Sequence, residues 1–304
     1  MKKTLITLAA VAAVGSASAQ VTMTGGVDFG YIKNLAGTSK GFTNWGAYLD
    51  FAATEDLGGG MSVAAFMELN ADSSRAAAGS VYSGDRSLTL NMPAASLTFV
   101  NSRSGGNQSA PLVGPAATWD GIFAYGVITR ANVDAVVLAV PVAQGLKLIG
   151  KYVESGPDYA ATPSTATTVL GFSYSGNGLT VSGYYNSSDF TDATKATLPA
   201  GYATTSTDLS VVYDAGVAKI GLGYDSARRG KASTDQAATL AGLSIPMGAA
   251  TIGVNYGKRD AASFYTLGGQ YNLSKRTNIT VAYGNADSGT TATNEYALVL
   301  HHSF

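Results

Sequence analysis

Histidine and cysteine are the first side chains to consider for chemistry, because they supply most metal ligands and many catalytic groups. The chain has no cysteine, and its two histidines, His301 and His302, are adjacent in the terminal stretch EYALVLHHSF. This stretch alternates with period two, which indicates a β-strand on which neighbouring side chains point to opposite faces. The two imidazoles therefore cannot share one metal or one catalytic site, and they are interpreted as incidental. The sequence predicts no catalytic residue, no metal and no cofactor.

Neither a glycine-rich segment nor the charge pattern of the chain indicates a phosphate or nucleic-acid site. The segment LGGGM at 57–61 is glycine-rich, but no Gly-Lys-Ser/Thr follows it and no helix pattern begins there, so it does not match a phosphate-binding loop. The formal net charge of the chain is −1, and no basic run occurs. This charge pattern argues against binding of nucleic acid.

The N-terminal residues have the pattern of a secretory signal peptide. Lys2 and Lys3 precede an apolar core, and the small residues Ala17-Ser18-Ala19 follow it as a cleavage site. The sequence therefore predicts an exported protein with a signal peptide at 1–19 and a single mature domain at 20–304.

The composition of the exported chain favours a membrane-spanning β-barrel. Charged residues make up 13% of the sequence, against about 25% in a typical soluble domain. Glycine (37) and tyrosine (17) are abundant, yet no apolar run beyond the N-terminus is long enough for a spanning helix. A β-barrel is the other structure that satisfies every backbone polar group in lipid.

Sixteen alternating segments predict the strands of an all-β, antiparallel barrel. Tight turns such as LGGG at 57–60 and GNG at 176–178 alternate with longer polar connections, as expected when the two rims of a barrel differ. Tyrosines near the strand ends favour interfacial girdles over a soluble sandwich, which alternation alone does not exclude. The predicted strands lie near 21–33, 43–56, 61–70, 84–92, 96–103, 130–140, 146–155, 168–175, 178–188, 205–215, 217–226, 237–246, 249–259, 263–273, 277–286 and 294–304.

Four segments in order resemble the Gram-negative general diffusion porins, in particular those of β-proteobacteria. They are VTMTGGVDFGYI at 21–32, TNWGAYLDFAATEDLGGGMSVAAFMEL at 43–69, DRSLTLNMPAASLTFVNSR at 85–103 and RANVDAVVLAVPVAQGL at 130–146. The resemblance implies a transmembrane 16-stranded barrel in the bacterial outer membrane that passes small hydrophilic solutes and ions by passive diffusion. It also implies a homotrimer in contact with outer-membrane lipid and lipopolysaccharide. A structural or adhesin barrel without an open pore is the alternative.

The same resemblance implies that the third long loop folds into the barrel and narrows it. By position this loop is 104–129, whose only side chain charged at neutral pH is Asp120. Arg103 and Arg130 flank the loop and match wall arginines of the family. Arg130 shares parity with Asp134, which is consistent with an inward side chain, whereas Arg103 requires a bulge or strand end to turn inward.

Further charged residues have the parity expected of the inner face, where they would set ion selectivity. The basic candidates are Lys147, Lys151, Lys219 and Arg259, and the acidic candidates include Asp28, Asp50 and Glu68, with Asp208, Asp225 and Glu295 also on this face. Loop 71–83 is either a latch onto a neighbouring subunit or a solvated loop.

The chain end resembles the signal by which the β-barrel assembly machinery recognises its clients. Its outward residues would be Tyr296, Leu298, Leu300 and Phe304. The last strand is expected to close the cylinder against 21–33, which leaves no sheet edge in lipid.

Overall fold

The chain folds into a closed antiparallel barrel of sixteen strands. A computed structural model describes residues 20–33, 40–70, 82–104, 114–115, 131–154, 166–189, 203–228 and 235–304. The strands are β1 (Gln20–Lys33), β2 (Lys40–Gly58), β3 (Met61–Asn70), β4 (Tyr82–Met92), β5 (Ala95–Ser104), β6 (Ala131–Ala143), β7 (Leu146–Glu154), β8 (Ala166–Gly176), β9 (Leu179–Ser188), β10 (Thr205–Asp214), β11 (Lys219–Arg228), β12 (Gln236–Met247), β13 (Ala250–Arg259), β14 (Ala262–Asn272), β15 (Thr277–Asp287) and β16 (Ala292–Ser303).

Each strand pairs with its neighbours in the chain, and β1 also pairs with β16. The closing pair runs from Gly26 opposite Ser303 to Lys33 opposite Tyr296. All sixteen predicted strands are confirmed, with ends that differ by no more than three residues from those of the structure. None of the described residues forms a helix long and apolar enough to cross a membrane.

The tight turns depend on backbone conformations that few residues adopt. Asn177 and Gly178 join β8 to β9 with φ angles of 52° and 75°. Two successive residues with positive φ form the two-residue hairpin turn whose twist matches that of the flanking strands, and asparagine followed by glycine suits it best. The predicted turn at 176–178 is confirmed.

The two faces of the barrel wall are inverted relative to those of a soluble protein. On β13, Ile252, Val254 and Tyr256 are 41%, 41% and 50% exposed, whereas Asn255 between them is 1% exposed. Leu209, Leu222, Leu267, Val281 and Leu298 repeat the exposed apolar pattern on neighbouring strands. An apolar outer surface with polar side chains turned inward is the arrangement of a barrel surrounded by lipid.

Tyrosines contribute to this outer surface, as the alternation predicts. Those with at least a third of their area exposed include Tyr152, Tyr185, Tyr213, Tyr224, Tyr256, Tyr265, Tyr271 and Tyr283. The amphipathic rings of tyrosine suit the boundary between lipid and water.

Candidate functional site

Three carboxylates lie together on the inner face of the first three strands. Asp50 on β2 stands directly opposite Glu68 on β3. Asp28 on β1 is close enough for all three carboxylates to act electrostatically on Tyr48. Glu68 accepts a hydrogen bond of 3.2 Å from the backbone amide of Asp85. The structure therefore gathers the acidic candidates Asp28, Asp50 and Glu68 on one arc of the wall.

Asp28 also links the first and last strands of the barrel. Its Oδ1 accepts a hydrogen bond of 2.6 Å from Nδ1 of His301 across the seam between β1 and β16. Both side chains are partly buried. The neighbouring His302 is exposed and contacts Thr277 at 2.9 Å. His301 is therefore not an isolated side chain, since its hydrogen bond to Asp28 links the last strand to the first.

Replacing each histidine by alanine tests this assignment. We expect His301→Ala to lower the free energy of unfolding by roughly 1–3 kcal/mol, because it leaves a partly buried carboxylate without its donor. His302→Ala is the matched control and removes only an exposed neutral hydrogen bond, so its effect is expected to be about 1 kcal/mol or less. Urea unfolding in detergent, followed by circular dichroism, measures both. Equal effects of the two substitutions would contradict the assignment.

The basic candidates occupy other parts of the inner wall. Lys147 and Lys151 lie four residues apart on the same face of β7, and Arg259 is the last residue of β13. Lys219 begins β11, where its ammonium group forms an ion pair of 3.2 Å with Asp214. Because Asp214 belongs to the same tight turn, Lys219 is held at the rim and away from the other basic candidates. The inner surface thus has an acidic arc on β1–β3 and lysines on β7.

The described part of the 104–129 loop touches the inner wall on the far side of the barrel. Gly114 lies against β12 and β13, and the following Pro115 is buried. A Cβ atom built on Gly114 would lie 3.0 Å from Oγ of Ser244 and 3.1 Å from Cα of Gly253. Both wall residues belong to the buried inner face. Glycine is required here, since φ of +81° also disfavours any side chain.

Asp120, within this loop, and Arg130, directly after it, lie outside the described part of the chain. The backbone of Arg103 pairs with Asn132 near the end of β5, and its side chain is not among those described.

A polar row on the outer face of β4–β6 was missed by the sequence analysis. Arg86 donates to Asn101 at 3.3 Å, and Asn101 donates to Asp134 at 2.7 Å. Asp134 is exposed on the same face as Leu138, so the parity argument that placed it inward was wrong, and shared parity with Asp134 no longer supports an inward side chain for Arg130. Alternation shows that two faces exist, but only the burial of Val133 and Ala135 shows which one faces inward.

The predicted assembly residues lie on the outer face of β16. Leu298, Leu300 and Phe304 are each about half exposed. Tyr296 stacks on Tyr31 of β1, with a ring separation of 6.2 Å. These side chains therefore form a mainly apolar surface at the chain end, which also includes the exposed His302, and their role in assembly stays a prediction.

No group of three or more histidine, cysteine, aspartate or glutamate side chains converges on a metal-binding point within the described ranges. The arrangement on the inner wall consists of carboxylates, ammonium groups, hydroxyls and amides around a lumen. Such a surface can exchange hydration water with passing polar solutes and can bias the local concentration of ions.

Comparisons with known proteins agree with this geometry. The family model described as Gram-negative porin matches residues 6–291. A comparison with curated proteins finds no match.

Several solved structures have the same fold. A loop-deletion mutant of OmpT, an outer membrane protein of Vibrio cholerae, has a TM-score of 0.69 at 13% identity, covering 94% of this chain and 99% of that one. A triple mutant of Rh. blastica porin has a TM-score of 0.64 at 13% identity, covering 94% and 100%. The anion-selective porin from Comamonas acidovorans has a TM-score of 0.66 at 19% identity, again covering 94% and 100%.

Proposed function

The chain belongs to the Gram-negative porin family, and from that premise we propose that it forms a water-filled channel for passive diffusion of small hydrophilic solutes and ions. The observation that carries the proposal is the inverted wall of the closed barrel. Large apolar side chains cover most of the outside, and most of the charged side chains of the described strands lie on the inside together with other polar groups. A barrel of sixteen strands has a lumen too wide for its own wall side chains to fill.

We further propose that the 104–129 loop narrows this channel. The contact between Gly114 and the wall at Ser244 and Gly253 supports it, because β5 and β6 carry the ends of the loop whereas β12 and β13 carry the contact. A segment that reaches from one part of the wall to another must cross the interior. The loop would then set the size limit for passing solutes.

The charges around this loop would set the ion preference. We propose that Asp120 and Arg130 act most strongly, together with the inner-wall groups described above. Asp120→Asn removes a negative charge and is expected to shift the reversal potential toward anions, whereas Arg130→Ala shifts it toward cations. Lys258→Ala is the control, because this exposed lysine alternates with the inward residues of β13. The measurement is the zero-current potential of a planar bilayer under a salt gradient. Unchanged potentials in both variants would remove the assignment.

The cellular setting is also proposed. A signal peptide at 1–19 would direct export, and the β-barrel assembly machinery would insert the chain into the outer membrane. A homotrimer is supported by the family and by the polar row Arg86–Asn101–Asp134. Charged side chains on the outer wall are costly in hydrocarbon, so a neighbouring subunit or lipopolysaccharide headgroups would cover them.

A liposome-swelling assay tests the diffusion proposal directly. Vesicles containing the refolded protein are diluted into isotonic solutions of sugars of increasing size. The proposal predicts swelling rates that fall steadily as the sugar grows, without saturation at high concentration. A structural or adhesin barrel predicts no swelling with any sugar, and this result would reject passive diffusion.

A further inference from the structure

Two buried carboxylates on β10 and β11 have no part in the proposed diffusion of solutes. Asp208 and Asp225 stand directly opposite one another in the register of these strands. They are 2% and 0% exposed, and their carboxylates are within hydrogen-bonding distance of each other. They alternate with the exposed Leu209 and Tyr224, so both side chains point to the inner face.

The hydrogen-bond donors around the pair do not satisfy it. Among the described residues, Asn186 donates to Oδ2 of Asp208 at 3.0 Å. Apart from the facing carboxyl group, Oδ1 of Asp208 and both carboxylate oxygens of Asp225 have no hydrogen-bond donor among the described residues, and all three are buried. Three orphaned carboxylate oxygens at one point are unusual, because buried charges are normally paired or bound to a cation.

Polar side chains of β9 and β10 lie on the same inner face as these carboxylates. The hydroxyl oxygen of Ser206 lies 2.9 Å from Nδ2 of Asn186, which also contacts Asp208. Ser206 and Ser210 flank Asp208 on the inner face of β10 and are buried. Tyr184 on β9 is in register with Asp208. The immediate surroundings thus present carboxylate, hydroxyl and amide groups.

We propose that Asp208 and Asp225 bind one calcium ion within the barrel wall. Calcium takes six to eight oxygen ligands in flexible geometry, and carboxylates and neutral oxygens are the ligands it prefers. Two carboxylates balance its charge, whereas a monovalent cation would leave one negative charge buried. The ion would supply the missing partner of all three orphaned oxygens and would link β10 to β11 at this level.

A proton shared by the two carboxyl groups would also reduce the repulsion between them. The experiment distinguishes this proton from a bound calcium ion. The protein is refolded from a urea-solubilised, lipopolysaccharide-free preparation in detergent, either with calcium or with a chelator. Bound metal is measured by mass spectrometry after dialysis, and the thermal midpoint is recorded for both preparations. The proposal predicts about one calcium ion per chain and a higher midpoint for the calcium preparation.

Isosteric substitutions locate the site. Asp208→Asn and Asp225→Asn are each expected to weaken calcium binding by at least about tenfold, since even the loss of an outer-shell partner costs that much. Glu295→Gln is the matched control, because Glu295 is an inward carboxylate on β16 that is equally buried at 2% exposure. It should retain calcium.

Three results would overturn the proposal. They are no bound calcium in the unmodified chain, equal binding by Asp225→Asn, or a midpoint that rises on acidification and ignores calcium. The last result would identify the proton as the partner. The first needs no variant, so failure of a variant to fold leaves the test intact. None of these measurements depends on channel activity.

Discussion

Removing Phe304 is expected to reduce the amount of assembled barrel in the outer membrane several-fold, while the channels that do assemble keep their conductance. The terminal residue is part of the closing seam: its amide donates to Gly25 at 3.0 Å, and its carbonyl accepts from the Gly25 amide at 3.2 Å. Its ring covers Gly25 so closely that a Cβ there would lie 2.6 Å from it. Deletion exposes sheet edge to lipid and removes the last residue of the apolar surface on β16.

Heat-modifiable mobility on gels and protease resistance in isolated outer membranes measure the assembled fraction. Phe172→Ala is the control, since Phe172 is an outer-face phenylalanine (36% exposed) on β8 whose ring likewise covers a glycine of the neighbouring strand, Gly183. It should assemble normally. Normal assembly after deletion of Phe304, or an equal defect in the control, would show that the chain end has no special role.

Excising the 104–129 loop is expected to raise single-channel conductance by roughly two- to fivefold, because the narrowest section of a pore dominates its resistance. Ser104 and Ala131 are register partners at the adjoining ends of β5 and β6. Residues 105–130 can therefore be replaced by an Asn-Gly hairpin turn without disturbing the barrel.

A second loop provides a matched control for this excision. Glu154 and Ala166 are likewise register partners, at the ends of β7 and β8. Replacing residues 155–165 by the same turn should leave conductance unchanged. If the first excision does not raise conductance, or if both raise it equally, the 104–129 loop is not the constriction.

The strands were predictable from the sequence because their information is local. On β13, Ile252, Val254 and Tyr256 alternate with small or polar residues, and a turn residue bounds the strand at each end. Hairpin pairing follows from the same turns. Asp214 and Lys219 are register partners at the turn between β10 and β11. Asp208 lies six residues before Asp214 and Asp225 six residues after Lys219, so counting outward from this turn would have placed the two carboxylates opposite each other.

The remaining features depend on contacts that alternation does not encode. The bond between His301 and Asp28 joins residues 273 positions apart and follows from the register of barrel closure. Asp134 was assigned to the wrong face because, in its strand, both the odd-numbered and the even-numbered residues include apolar side chains. The position of Gly114 against the wall depends on the path of a long loop. Neither the composition nor the length of that loop specifies Ser244 as the residue it contacts.

Reconstitution of the refolded protein into a planar bilayer tests the central claim most directly. If the barrel is an open, water-filled channel, the current rises in steps, one for each insertion, and the conductance rises in proportion to salt concentration. Stable incorporation of folded protein without any ion-conducting step would contradict it.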